Sequence, residues 1–472
     1  MDFGKNSIPM KQSLFRILSL GIFAGFCLSA QGQRLKRPGN FGVQPIVVTD
    51  SIAAAHGLSK TQGILAGQVV PGSNFESAGI KAGDVVLEVN GLPFNSWGDM
   101  AVVKQNFWDG DAFSAVVWRD GKKEKLKGKI TGKPAETSDK WEVMYDEVPF
   151  DGGHLSAIVT KPHSPGPHPT IYFIPGYTCA SVDNLPPFHP YRKVFDSLNA
   201  LGYVIVRVEK PGMGRGPAPC QCNDIGFGKE LDAFRAGWRH LLEYDFVDRE
   251  KVFIFGHSMG GIEAPFLASQ EPVKPLGVAV YGVVYQSWYE YILAMLRFQE
   301  PRNGEDYVTF EKDMGEYTEL FYEHYVKHRP LEELIENPTW KALLERDFFM
   351  DNHLNLLGRH YKFFFELAKH EYVTPWAETE SHVLSMYGEA DFEVFNPTSM
   401  SEITLIVNRY HPGKGKFVSL PGTDHSFIDV ESMAEGVALR GSPKYRDYLF
   451  NRFNWKVVDE LHLWMQEVMG GS

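Results

Sequence analysis

Cysteine is scarce in this sequence, with four residues in 472. Cys220-x-Cys222 is too sparse for a metal site, and no His-rich segment partners it. Long basic tracts are missing too, and the formal net charge is -12. That excludes the clustered Lys and Arg on which nucleic-acid binding depends. The one cationic run, "DGKKEKLKGK" (residues 120–129), contains Glu124 and alternates along an expected strand, so it reads as a solvated hairpin. Beyond residue 30 no long apolar run occurs, which leaves no membrane span in the remaining chain.

What is present begins with a targeting pattern. Lys5, Lys11 and Arg16 precede "ILSLGIFAGFCLSA" (residues 17–30), and polar "QGQ" follows. A basic start, a short apolar core and a small residue at its end predict an export signal over residues 1–30, cleaved after Ala30. Cleavage would move the net charge to about -14. The expected location is periplasmic or secreted in a bacterium, with a retained membrane anchor as the alternative. Cys27 leaves with the signal, and an oxidising compartment then permits one disulfide, Cys179 with Cys220 or with Cys222.

The apolar fraction of 43% and charged fraction of 22% are those of a globular protein, and the length predicts two or three domains. The first is expected over residues 39–133. "GILAGQVVPGSNFESAGIKAGDVVLEVNGLPF" (residues 63–94) reads as strand, turn, short helix, turn, strand and an Asn-Gly hairpin. Two strands joined at Asp120-Gly121 end the domain. The "PGS…AGI…GD…VNG" pattern resembles a bacterial, protease-associated PDZ domain. The resemblance implies a groove that takes an extended peptide as an added strand. It also implies a carboxylate-binding loop at Gln62, Gly63 and Ile64. A docking module with no free ligand is the alternative. Residues 134–140, polar with Pro and Ser, read as a linker.

From residue 141 to 472, apolar strands alternate with helices, which predicts an α/β domain with a mostly parallel, doubly wound sheet. In "KVFIFGHSMGGIEAPFLA" (residues 251–268) a buried strand turns into a helix across Gly-His-Ser-Met-Gly-Gly. Placed there, Gly-x-Ser-x-Gly predicts a nucleophile elbow that exposes Ser258. A serine needs a base and a group to orient it. "GEAD" supplies Asp391 after one strand and "GTDHSF" supplies His425 after the last. Glu389 and Glu393 are alternative acids, Asp424 should point away from the His425 ring, and His257 should serve packing. The amides of Tyr177, in "FIPGYTCAS", and Met259 are the expected oxyanion donors.

Together with "EKPGMGRG" (residues 209–216), these motifs resemble the α/β-hydrolase family over the whole second domain. Lys210 and Arg215 read as a solvated loop, or as a meeting point for an anionic substrate group. Between about residues 288 and 377 the alternation gives way to aromatic-rich helices, which the fold places as a cap. The expected activity is serine hydrolysis of a carboxylic ester or amide through an acyl-enzyme, with no metal or organic cofactor. Esterase chemistry is the default. A peptidase is the alternative, and a non-catalytic peptide-binding scaffold the remaining one. A small-molecule ester or a peptide is the expected substrate, with a peptide ligand at the PDZ-like groove.

Overall fold

The computed structural model describes residues 35–440 and 442–470, so the expected export signal lies outside the described residues. The small β-rich region comprises β1 (Val43–Val47), β2 (Ile64–Val69), β3 (Val85–Val89), β4 (Leu92–Pro93), β5 (Ala112–Arg119) and β6 (Lys122–Lys129). Its sheet runs β1-β2-β3-β5-β6, with β4 beside β3. Asn90 and Gly91 take φ of 53° and 76°, and Asp120 and Gly121 take 50° and 77°. Two successive left-handed residues make the two-residue turns whose twist matches a hairpin. On β5 the alternate residues Phe113, Ala115 and Val117 are buried. They pack with Phe41, Phe75, Phe94 and Phe107 into one aromatic core. The β6 edge is lined with lysines, which discourage another strand from pairing there.

Residues 134–140 connect the two regions but are not a free tether. Glu136 is buried and accepts hydrogen bonds of 3.0 and 3.2 Å from Arg207, while its own N–H donates to the Tyr145 hydroxyl at 2.6 Å. A buried ion pair of this kind fixes the segment against the larger region.

The larger region holds β7 (Glu142–Phe150), β8 (Gly153–Lys161), β9 (His168–Ile174), β10 (Val204–Val208), β11 (Val247–His257), β12 (Gly277–Tyr281), β13 (Asn355–Leu356), β14 (Arg359–His360), β15 (His382–Gly388) and β16 (Gly415–Leu420). Eight of these form one sheet in the order β16-β15-β12-β11-β9-β10-β8-β7. The six strands from β16 to β10 are parallel, and β8 and β7 are antiparallel additions. The central strands carry mainly apolar, buried residues because helices cover both faces. Trp238 is buried on one face and Trp464 on the other, each with its own cluster.

Between β12 and β15 the chain leaves the sheet. Helices Trp288–Asn303, Tyr307–Phe321 and Pro338–Asp347 make the bulk of this insertion. Ser287 and Glu290 close the first of them with a reciprocal capping box. Tyr317 and Phe321 stack within the insertion, and Phe348 meets Phe321 edge-on, giving it a core of its own. The β13–β14 ribbon interrupts the expected run of helices. The final helix, Val373–Glu378, packs on the helices Met259–Gln270 and Thr398–Tyr410 that cover the sheet.

Candidate active site

β11 ends at His257, and Ser258 caps the helix Met259–Gln270 with φ 55° and ψ -124°. A non-glycine residue in that conformation stores strain of roughly 1–3 kcal/mol, which persists only where surrounding structure enforces it. Here the enforcement is steric. A Cβ at Gly260 would lie 2.1 Å from the Ile174 carbonyl oxygen, and one at Gly256 would lie 2.4 Å from that of Gly260. The strand and helix can therefore approach only across glycine. The Ser258 N–H donates to the Tyr281 carbonyl at 2.9 Å, tying the elbow to the end of β12.

Asp391 follows β15 and is fully buried. Its Oδ1 accepts from the amides of Glu393 (2.8 Å) and Val394 (2.9 Å), and its Oδ2 lies 2.8 Å from His425 Nδ1. His425 follows β16, and its ring is largely buried. Burial alone would lower the His425 pKa, but the charges of Asp391 and Glu393 and the Asp391 hydrogen bond push it up to about 9. Glu393 reaches 4.0 Å from Nδ1 and is itself held by Arg440 at 2.6 and 2.7 Å.

The neighbouring candidates are engaged elsewhere. Glu389 accepts from the Ser419 hydroxyl at 2.8 Å. Asp424 accepts from the amides of Ser426 and Ile428 at 2.8 Å each, away from the ring, and burial pushes it up to about 6. His257 is a buried brace. Its Nε2 donates to the His425 carbonyl at 2.8 Å, and its Nδ1 lies 2.6 Å from the Tyr191 hydroxyl. Burial, then the charge of His425, depresses its pKa to about 3, which keeps it neutral.

Ser258, His425, Tyr177 and Met259 line one cavity of about 620 Å³. Gly176 passes so close to the serine that a Cβ there would sit 3.4 Å from Ser258 Cβ. Trp288, Tyr291, Ile292, Leu296 and Phe364 supply an apolar wall from the insertion. Asp391, Glu393 and His425 hold ligand atoms within 4.8 Å of one another. Within this group Asp391 Oδ1 is taken up by the amides of Glu393 and Val394, and Glu393 by Arg440.

Three expectations need correction or completion. Lys210 and Arg215 face neither solvent nor substrate. Lys210 is buried against Glu230 at 2.8 Å, and Arg215 is buried against Asp183 at 3.1 Å and stacked 3.6 Å from the Tyr145 ring centroid. Gln62, Gly63 and Ile64 do not lie on an open strand edge. Ile64 pairs with Val47 on one side and Val86 on the other, and the Gly63 amide donates to the Asn95 side chain at 2.7 Å. The edges of this sheet are β1 and the lysine-lined β6, and Asn40 and Phe41 before β1 share a cavity wall with the helix Trp97–Lys104. Of the two possible disulfides, Cys179–Cys222 forms, leaving Cys220 free. Sequence reading missed Glu230 and Arg359, which join Lys210 in a buried cluster, because no local pattern marks partners 20 and 129 positions apart.

Residues 171–439, more than half of the chain, match the alpha/beta hydrolase family, and residues 33–106 match the PDZ domain. The N-terminal part is similar to a probable periplasmic serine endoprotease, DegP-like, of Bartonella henselae, 36% identical over 106 residues. The match covers 22% of this chain and 21% of that protein, so the chain spans about a fifth of that relative's length. A DegP-like protein of Rhizobium meliloti is 34% identical over 114 residues, covering 24% and 23%. Among solved structures, Est1E from Butyrivibrio proteoclasticus is 15% identical with a TM-score of 0.40, over 70% of this chain and 99% of that one. An acylaminoacyl peptidase from Pyrococcus horikoshii is 14% identical with a TM-score of 0.40, over 76% and 46%. The chain is a hydrolase of the alpha/beta hydrolase family carrying an N-terminal PDZ domain.

Proposed function

We propose that this hydrolase is an exported serine enzyme that cleaves a carboxylic ester or amide bond through an acyl-enzyme. The observation that carries the reading is that His425, paired with the buried Asp391, lines the same cavity as the strained Ser258. In the first step Ser258 Oγ attacks the substrate carbonyl and His425 Nε2 takes the hydroxyl proton. Asp391 holds Nδ1–H and stabilises the imidazolium that forms. The amides of Tyr177 and Met259 receive the oxyanion, each worth roughly 3–4 kcal/mol in comparable sites. His425 then protonates the leaving group. Water, deprotonated by His425, attacks the acyl carbonyl; the bond to Ser258 Oγ breaks, His425 returns the proton to that oxygen, and the acid is freed.

The apolar wall formed by Trp288, Tyr291, Ile292, Leu296 and Phe364 fits an acyl group that is itself apolar. Ester cleavage, the default chemistry of this fold, is the first reading. The PDZ domain supports a second reading, peptidase action on an extended peptide that pairs with the open edge of β1. Similarity of that domain to DegP-like periplasmic proteins supports export. No described helix is long and apolar enough to cross a membrane. Turnover of p-nitrophenyl esters against aminoacyl p-nitroanilides by the full chain separates the two readings. Ester turnover alone supports the first, and faster anilide cleavage supports the second.

A further inference from the structure

The oxyanion loop is held by charges rather than by ordinary backbone pairing. Lys210 Nζ donates to the Gly176 carbonyl at 2.7 Å. Arg359 Nη1 donates to the Tyr177 carbonyl at 2.9 Å, and Nη2 donates to the Cys222 carbonyl at 3.1 Å. Glu230 joins the two cations. Its Oε1 lies 2.8 Å from Lys210 Nζ and 3.0 Å from Arg359 Nη1, and its Oε2 lies 2.7 Å from Arg359 Nη2. All three side chains are at most 1% exposed. Cys222 is in turn bonded to Cys179, two residues beyond Tyr177.

The geometry has a direct consequence for the Tyr177 N–H. The Gly176 C=O and the Tyr177 N–H belong to one planar trans peptide unit and point in opposite directions. Fixing the oxygen on Lys210 therefore fixes the direction of the N–H. The Tyr177 carbonyl, on the next peptide unit, is fixed by Arg359, so the residue is clamped on both sides. A charged donor on the carbonyl also polarises the same peptide and strengthens its N–H as a donor.

We propose that Lys210, Glu230 and Arg359 are positioning residues for the oxyanion hole, a buried ion triad that aims and polarises the Tyr177 amide and couples it to the insertion that carries Arg359. This rests on the serine reading above. Glu263, on the helix that follows Ser258, is buried beside the triad, and neither carboxylate oxygen has a hydrogen-bond partner. Burial, then the negative charge of Glu230, raises its pKa well above the usual range, so it stays neutral. Burial lowers the Lys210 pKa against the opposing charge of Glu230, while the Arg359 guanidinium supplies a permanent positive charge, the sign that favours a developing oxyanion. The arrangement also explains why Lys210 is buried in a loop that looks solvated in sequence.

The test uses the full chain with Lys210→Met, Arg359→Met and Arg359→Lys. Active sites are titrated with a fluorophosphonate, and kcat, KM and inhibition by an alkylboronic acid, a tetrahedral mimic, are measured per titrated site. Both methionine variants are expected to lose roughly 10²-fold in kcat with KM changed less than about threefold, as for loss of an oxyanion donor. Boronic acid affinity should fall in parallel, and Arg359→Lys should recover part of both losses. Should the methionine variants fail to fold, Arg359→Lys and Glu230→Gln carry the test, with at least about a tenfold loss in kcat and boronate affinity expected. Unchanged kcat per site in the folded variants, while Ser258→Ala is inactive, overturns the clamp alone. Retained turnover in Ser258→Ala overturns the serine reading and the clamp with it.

Discussion

His425 Nδ1 lies 2.8 Å from Asp391 Oδ2, and 4.0 Å from a second carboxylate, Glu393. One base thus sits under two negative charges, and the second is shared with Arg440. The pair sets the protonation state on which the proposed chemistry depends.

The base must be neutral to take the serine proton. Against the opposing effect of burial, Asp391 and Glu393 push the His425 pKa up to about 9, so kcat/KM should climb with pH toward that value. Glu393→Gln removes one charge that favours the imidazolium. The limb should then move to lower pH by roughly one unit. A pH–rate profile of both proteins checks this, and an upward shift would contradict it.

The cavity wall sets acyl size. Ile292 is buried and lines the cavity beside Trp288. Ile292→Phe should lower kcat/KM for a p-nitrophenyl decanoate by about tenfold, while the acetate stays within about twofold. Parallel losses on both esters would mean that the acyl chain lies elsewhere.

The Cys179–Cys222 bond closes a loop across a sequence separation of 43. In the chain-entropy picture its removal by Cys179→Ser with Cys222→Ser costs about 3–4 kcal/mol. Denaturant midpoints should fall accordingly, and kcat should fall because the same loop carries Tyr177. Cys220→Ser, which touches a free and partly exposed thiol, should stay within about 0.5 kcal/mol of the parent.

Glu136 anchors the connecting segment through a buried pair with Arg207. Glu136→Gln leaves that guanidinium without its counter-charge and should cost roughly 3 kcal/mol. Burial works against the ionised carboxylate, but Arg207 prevails and lowers its pKa. The stability it contributes is therefore present above the unfolded carboxylate pKa and lost as pH falls through the depressed folded value. Thermal melts from pH 7 downward should show a shallower acid loss for the variant than for the parent.

The elements that could be read from the sequence are those specified by neighbouring residues. Asn90-Gly91 and Asp120-Gly121 name their own turns, and the glycines around Ser258 name the elbow because any Cβ at Gly256 or Gly260 would collide with a carbonyl oxygen. Asp391 and His425 could be found because each follows a recognisable strand. What escaped depends on partners far along the chain. Lys210 and Arg215 look solvated until Glu230 and Asp183 bury them. Ile64 starts a strand, but only the sheet order reveals that β2 is interior, with β1 outside it at an edge. The β13–β14 ribbon is two residues on each side, too short for any periodicity to register.

The most direct measurement is intact-mass and peptide-level mass spectrometry after treatment with a fluorophosphonate, in parallel with p-nitrophenyl ester turnover. One phosphonyl adduct per chain on the peptide bearing Ser258, with both labelling and turnover abolished in Ser258→Ala, is the expected result. An adduct on another residue, or undiminished labelling and turnover in Ser258→Ala, would contradict it.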